Sequence, residues 1–240
     1  MKIHDCIQGT DEWLQLRAGI PTASCFDRIV TPGGEPSKSA EPYMYELLAE
    51  RLMGHPIKER ITLWMQRGSE MEIDAVQWYE FQTDTQTVPV GFITNDAGTI
   101  GVSPDRLVGD RGLFEAKVPS EGVHVSYLLT SGGAYKTYKV QVQGQLWIAG
   151  KDWTDVVSYH PELPKALIRI ERDERFISKL DEHVSAFSEK LEEKYLEVME
   201  HDWAKSQQER VMEQLEASVK LPPLAPLDEL VRMAKEAMRQ

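Results

Sequence analysis

Between Thr62 and Val118 the chain changes its hydrophobic period, and that change restricts it to folds that combine helices with a sheet. Thr62 to Gln82 reads as a helix, with Trp64, Met71, Ala75 and Trp78 along one side. Short β runs follow at Thr87–Ile93, Thr99–Val102 and Gly112–Val118. Two helical stretches come next, the second over Tyr135–Ala149, then strands at Asp155–Tyr159 and Ala166–Ile170, then a helix from Asp173 to about Ser206. Before the switch, Thr10 is placed to cap a short helix over Asp11–Arg17, with Gly19 beyond its end, and Thr22 a second over Ala23–Val30. Pro42 suits the first turn of a helix carrying Met44, Leu47, Leu48 and Leu52, with Gly54 past its end. Helix, strands, helix, strands, helix implies the α/β (α+β mixed) class: a central mixed β-sheet flanked by helices.

The 240 residues suffice for one sizeable core; a chain of this size buries roughly 70% of its unfolded surface. The expected main domain spans 1–206. Residues 207–240, with the break Pro222–Pro226 and an amphipathic helix over Leu227–Arg239, read as a helical extension: a docking element, a self-association element or a cap. No apolar run approaches the ~18 residues of a membrane span, and Met1–Gln8 has no secretory character. The two cysteines, Cys6 and Cys25, form no C-x-x-C pair, which excludes a four-cysteine cluster and suits a reducing cytoplasm. The net charge of −12 argues against a generic basic nucleic-acid coat. It leaves room for a protein that gathers cations on carboxylates and focuses its few arginines on one surface.

The segment that carries chemistry runs Ser103-Pro-Asp105 to Glu115-Ala116-Lys117. Val108–Gly112 is rich in turn residues, so Asp105 and Glu115 fall on neighbouring antiparallel strands. A turn centred on Asp110 sets residue 105 opposite 115, with Cβ atoms ~5 Å apart. Two carboxylates so placed repel unless a cation lies between them. Glu115 and Lys117 share a strand face, while Ala116 points away and leaves its carbonyl near the same edge. Hard oxygen donors of this kind suit Mg²⁺, with Mn²⁺ as a substitute. Such a set fits metal-assisted phosphodiester hydrolysis; the competing reading is a solvated hairpin with ordinary surface charges.

Four blocks make the sequence resemble the PD-(D/E)XK nucleases and, within them, the phage lambda-type alkaline exonucleases of viral recombination systems. Trp13 to Ser24 resembles the family's W-x-x-x-R-x-G-x-x-T-A-S. Gly68 to Glu72 resembles G-x-x-x-E on the helix before the sheet. Asp105, Glu115 and Lys117 are the nuclease core, and Tyr138, Gln141, Gln143 and Trp147 resemble the helix that carries a glutamine after it. The match runs in order from about residue 8 to 200.

The resemblance implies a restriction-endonuclease-like core and a Mg²⁺-dependent 5′→3′ exonuclease acting on linear double-stranded DNA. Such an enzyme leaves 3′ single-stranded tails for phage-type recombination. Metal falls to Asp105, Glu115, the Ala116 carbonyl and Glu72; Lys117 positions or activates the water; Gln141 orients groups near that lysine. Arg17, Ser24 and Ser103 contact DNA phosphate, including a 5′-terminal phosphate. The resemblance also implies a ring-shaped homotrimer, a single-strand annealing protein as partner, and a phage or prophage origin with a cytoplasmic location in the bacterial cell. No membrane partner is expected.

Alternatives remain at several positions. Arg17 can pair with Asp11 or Glu12, and Ser24 can be a helix-terminal hydroxyl. Glu70 and Asp74 compete with Glu72, and Gln143 with Gln141. Trp13, Trp64, Trp78 and Trp147 read as core, and the six histidines as structural or exposed. Arg106 stands where the family commonly has glycine, which makes it an added phosphate contact. Two other functions share the same residues: a structure- or site-specific endonuclease, and a non-catalytic DNA-end binding protein.

Overall fold

The computed structural model describes residues 1–57, 63–130, 133–201, 209 and 211–212, with the side chains of 63–70 left aside. The chain divides into two units, Met1–Tyr195 and Leu196–Gln240. Most of the expected extension over 207–240, including the final helix, and the expected helix end near Ser206 lie outside the described residues.

Two sheets organise the first unit. A small antiparallel sheet has the order β1-β3-β4, from Lys2–His4, Phe92–Thr94 and Gly101–Val102. The main sheet has the order β2-β5-β6-β7-β8, from Thr87–Pro89, Arg106–Val108, Gly112–Lys117, Trp153–Ser158 and Ala166–Glu171. It is antiparallel except where β6 runs parallel to β7, so it is a mixed sheet of the expected class. The parallel step is bridged by two helices, α4 (Glu121–Leu129) and α5 (Gly133–Ala149), because parallel neighbours need a long crossover.

The expected strand over Thr87–Ile93 divides between the two sheets. Pro89 lacks the N–H that would extend the ladder and sits at the end of the edge strand β2. The next carbonyl, of Val90, is taken by the Gln8 side chain at 2.8 Å instead of by a strand. Strand β1 escapes sequence reading because it is three residues long and has only β3 as a neighbour.

The helices form where their caps and apolar spacing direct. In α1 (Asp11–Arg17), Thr10 accepts from the Trp13 amide. Thr22 does not cap in this way, and the next segment winds as a short 3-10 helix, Ala23–Arg28, in place of the expected helix to Val30. The Thr22 hydroxyl is engaged by Arg17 and Ser24 instead. Helix α2 (Ala40–Met53) ends on Gly54 in the left-handed region, φ 71°, which glycine adopts without penalty.

Helix α3 (Leu63–Thr83) packs Ala75, Val76 and Tyr79 onto one face of the main sheet, against Val108, Phe114, Val157 and Tyr159. Helix α6 (Glu174–Glu200) buries Phe176, Ile177, Leu180, Val184, Phe187 and Leu191 at helical spacing. Each such side chain contributes about 1.5–3 kcal/mol of burial. Among the described residues no helix is long and apolar enough to cross a membrane.

Helix α5 positions the chemistry. Val140, Val142, Leu146, Ile148 and Ala149 are buried, and Gly144 lets the helix approach the 3-10 segment closely. A Cβ at Gly144 would lie 2.5 Å from the Phe26 ring. That contact holds α5 against the segment that carries Ser24.

Candidate active site

Strand register builds the centre of the site. Arg106 pairs with Phe114, Leu107 with Leu113 and Val108 with Gly112. Extending that register by one step sets Asp105 opposite Glu115, as the turn centred on Asp110 predicts. Asp105 Oδ2 accepts from the Ala116 backbone N–H at 2.7 Å, which ties the loop end to the strand. Ala116 packs against the α3 side of the sheet, so Glu115 and Lys117 face the other way, towards α5.

Glu115 is 2% exposed and has both oxygens engaged. Oε1 accepts from Lys117 Nζ at 2.7 Å and from Gln141 Nε2 at 2.7 Å. Oε2 accepts from Gln145 Nε2 at 2.8 Å. Lys117 Nζ also donates to Gln141 Oε1 at 3.1 Å and sits 4.5 Å from the centre of the Tyr138 ring. One glutamine amide therefore grips both members of the Glu115–Lys117 pair and can do so in a single orientation.

The electrostatics follow from crowding. Burial pushes the Asp105 carboxyl well above the ordinary carboxylate range, and the charges of Glu115 and Glu72 push it further. Burial also raises Glu72, with Glu115 adding to it while Arg106 and Lys117 pull it down. Burial pulls the Lys117 ammonium down, yet Glu115 and Asp105 outweigh this and leave it raised, hence protonated. Three acids thus share one ammonium in a half-buried place. Among the described residues no three His, Cys, Asp or Glu side chains are gathered as a ready-made metal cluster. The donor set itself, all oxygen, with Asp105 and Glu72 holding their protons more tightly than usual, fits a hard divalent cation.

Asp74 and Glu72 separate clearly. Asp74 is exposed and raises Tyr159, whereas Glu72 is half-buried and raises Asp105. The Glu70 side chain lies outside the described residues. Gln143 is a structural residue: Nε2 donates to the Glu171 carbonyl at 2.9 Å and Oε1 accepts from the Asp173 amide at 2.9 Å. Arg106 lies on β5, where Glu72 and Glu80 of α3 feel its charge, and its Nε is buried without a hydrogen-bond partner.

A second cluster lies two residues upstream of Asp105. Arg17 donates to Ser103 Oγ at 3.1 Å, Ser24 Oγ at 3.1 Å and Thr22 Oγ1 at 3.4 Å. Its guanidinium stacks 4.1 Å from the centre of the Trp13 ring, whose Nε1 donates to the same Ser103 Oγ at 3.0 Å. Arg17, Ser24 and Ser103, distant in sequence, therefore meet in one place. Trp13 is not a plain core residue, because it is half-exposed and holds two members of this cluster. Trp78 and Trp147 are also only partly buried; Trp78 packs against the α3 core and Trp147 lies 6.3 Å from the Phe26 ring. The Trp64 side chain lies outside the described residues. His124 is structural, buried between Ser158 Oγ at 2.7 Å and the Pro164 carbonyl at 2.8 Å.

Sequence reading missed two residues here. Gln145 lies four residues after Gln141, on the same helix face, and that spacing was the available signal. Gln8 donates to the Pro104 carbonyl at 2.9 Å and pins the loop between the two clusters; no motif marks it.

Residues 12–152 match the YqaJ-like viral recombinase domain. Among solved structures, the chain is similar to an alkaline exonuclease, LHK-Exo, from Laribacter hongkongensis. The two are 33% identical, with 84% of this chain and all of that one covered and a TM-score of 0.69. The structure of LHK-Exo in complex with dAMP gives 34% identity, 79% and 96% coverage and a TM-score of 0.70. A phage related exonuclease from Haemophilus somnus 129PT shares the fold, at 18% identity, 75% and 96% coverage and a TM-score of 0.62. Among curated proteins none matches the chain. The mixed sheet with its flanking helices is thus a restriction-endonuclease-like core. With more than half its length inside the matched domain, the chain belongs to the YqaJ-like viral recombinase family, of the lambda-type alkaline exonuclease kind.

Proposed function

We propose that this DNA exonuclease, a hydrolase by family, is Mg²⁺-dependent and digests one strand of linear double-stranded DNA from its 5′ end. It leaves 3′ single-stranded tails for recombination by annealing. One observation carries the reading: the Arg17–Ser24–Ser103 cluster and the Asp105–Glu115–Lys117 cluster are joined through Ser103-Pro104-Asp105. A terminal phosphate held by the first cluster presents a neighbouring phosphodiester to the second.

Asp105, Glu115, Glu72 and the Ala116 carbonyl would hold Mg²⁺, with Mn²⁺ able to substitute. Those residues would let a bound divalent cation supply a lowered pKa for the attacking water and charge neutralisation at the scissile phosphate. Lys117 keeps its proton on Nζ and positions the water or the developing phosphate charge. Gln141 holds Lys117 and Glu115 in register. Arg17 offers a charged fork to phosphate oxygens, and Ser24 and Ser103 add neutral hydroxyls. The relative solved with dAMP, a nucleoside 5′-monophosphate, supports a site built around a 5′-phosphate. Arg106, whose charge lowers the proton affinity of Glu72 and Glu80 on α3, would add positive charge beside the acidic site.

The nuclease domain would span 1–206. A homo-oligomeric ring, a trimer by resemblance, would reconcile a net charge of −12 with DNA binding by lining its inside with the basic residues. A single-strand annealing protein is the partner the tails require, and the bacterial cytoplasm the place of action.

The test is product analysis on a linear duplex labelled separately at each 5′ and 3′ end, beside a closed circle, in Mg²⁺ and in EDTA. Early release of 5′ label with the circle intact, and no cleavage by Lys117→Ala, supports the reading. A nicked circle makes the chain an endonuclease. Binding to DNA ends without metal-dependent cleavage makes it an end-binding protein.

A further inference from the structure

Gln145 is 1% exposed on α5, one turn beyond Gln141. Its Nε2 donates to Glu115 Oε2 at 2.8 Å and lies 3.5 Å from the Ser103 carbonyl. Both partners accept only, so the amide nitrogen must face them. That leaves Oε1 buried with no hydrogen-bond partner. A buried, unpartnered carbonyl is unfavourable, and an apolar side chain of the same shape would avoid it. Local violations of this kind are expected where a residue serves a site at some expense to the core.

The geometry points to Gln145 as a positioning residue: it fixes the Oε2 side of Glu115 and ties that carboxylate to the backbone of Ser103. This rests on the reading of Glu115 as a metal ligand. Glu115 is then held at both oxygens from one helix face, by Gln141 on Oε1 and by Gln145 on Oε2. Among the contacts described, Lys117 reaches Oε1 and Gln145 reaches Oε2, so Gln145 braces the half of the carboxylate that the lysine does not. The same amide spans the two clusters, because Ser103 carries the hydroxyl that receives Arg17 and Trp13. Partners that orient a ligating carboxylate typically govern metal affinity by about 10–100-fold.

The test measures Mn²⁺ binding directly, by electron paramagnetic resonance of the free ion, with no DNA present. Gln145→Met keeps length and volume but removes the donors. Gln145→Asn keeps a buried amide but shortens its reach. Both are expected to weaken Mn²⁺ binding about tenfold or more. In cleavage assays kcat at fixed Mg²⁺ should fall while KM for duplex ends stays within about twofold, a split that plain loss of packing does not produce. Metal affinity within about twofold of wild type in a folded variant overturns the assignment. Variants that are both unfolded also overturn it, by making Gln145 a folding residue. Wild-type protein that binds no Mn²⁺ at all would refute the metal reading itself, and that failure shows in the wild type alone.

Discussion

Lys117→Met is the perturbation that most directly tests how the acidic site is held together without metal. The ammonium donates to Glu115 Oε1 at 2.7 Å and to Gln141 Oε1 at 3.1 Å, and its charge lowers the proton affinity of both Asp105 and Glu72. Methionine keeps the apolar stem and removes the charge. Breaking one partner of a buried pair costs about 3–5 kcal/mol. The lower end, about 3 kcal/mol, applies here because removing Lys117 also relieves the burial of its own charge. At about 2–4 °C per kcal/mol for a chain of this size, the variant in EDTA should melt about 6–12 °C below wild type. Mg²⁺ at a hundred times its dissociation constant contributes about 2.7 kcal/mol of stabilisation. It should help the variant at lower concentration than wild type, because no ammonium competes for the carboxylates. Scanning calorimetry with and without Mg²⁺ checks both statements. A variant melting within about 2 °C of wild type in EDTA would refute the claim that Lys117 is the charge that holds the acids together.

Arg17→Ala should cut the preference for 5′-phosphorylated over 5′-hydroxyl ends about tenfold or more, through KM, since a charged hydrogen bond is worth about 1.5–3 kcal/mol; equal loss on both kinds of end would refute a phosphate role. The pH dependence has a defined sign. Asp105 and Glu72 hold protons more tightly folded than unfolded. The folded state therefore binds more protons between their ordinary values, about 4, and their raised ones. Metal-free stability from these groups falls as pH rises through that window, and Asp105→Asn should flatten the slope in calorimetry. Mn²⁺ affinity should rise over the same window as those protons leave; an affinity independent of pH would refute the coupling.

Much of this site is legible in the amino-acid sequence. The opposition of Asp105 and Glu115 follows from the turn residues around Asp110, and strand alternation puts Glu115 and Lys117 on one face. The short β runs were legible as strands but not as members of two sheets. That division depends on Pro89 lacking a donor and on Gln8 claiming the Val90 carbonyl, an interaction spanning more than eighty positions. Gln145 was missed although its spacing from Gln141 is regular. Gln143 was weighed against Gln141 instead, and only packing shows that Gln143 faces Glu171 and Asp173.

The sequence by itself determined the class of fold, the strand register of the acidic pair, and the residue types a metal-assisted phosphodiesterase requires. Those depend on local rules: period, turn chemistry and the alternation of side chains along a strand. Only the tertiary structure decided which residues surround them. The meeting of Arg17, Ser24 and Ser103, the two-sided grip on Glu115, and the raised proton affinity of Asp105 and Glu72 all arise from residues of α1, α3, α5, the 3-10 helix and the sheet that are distant in sequence and adjacent in space. Hydrogen bonds act at about 3 Å and desolvation depends on what covers a group. Both are properties of distance in space, which sequence separation does not encode.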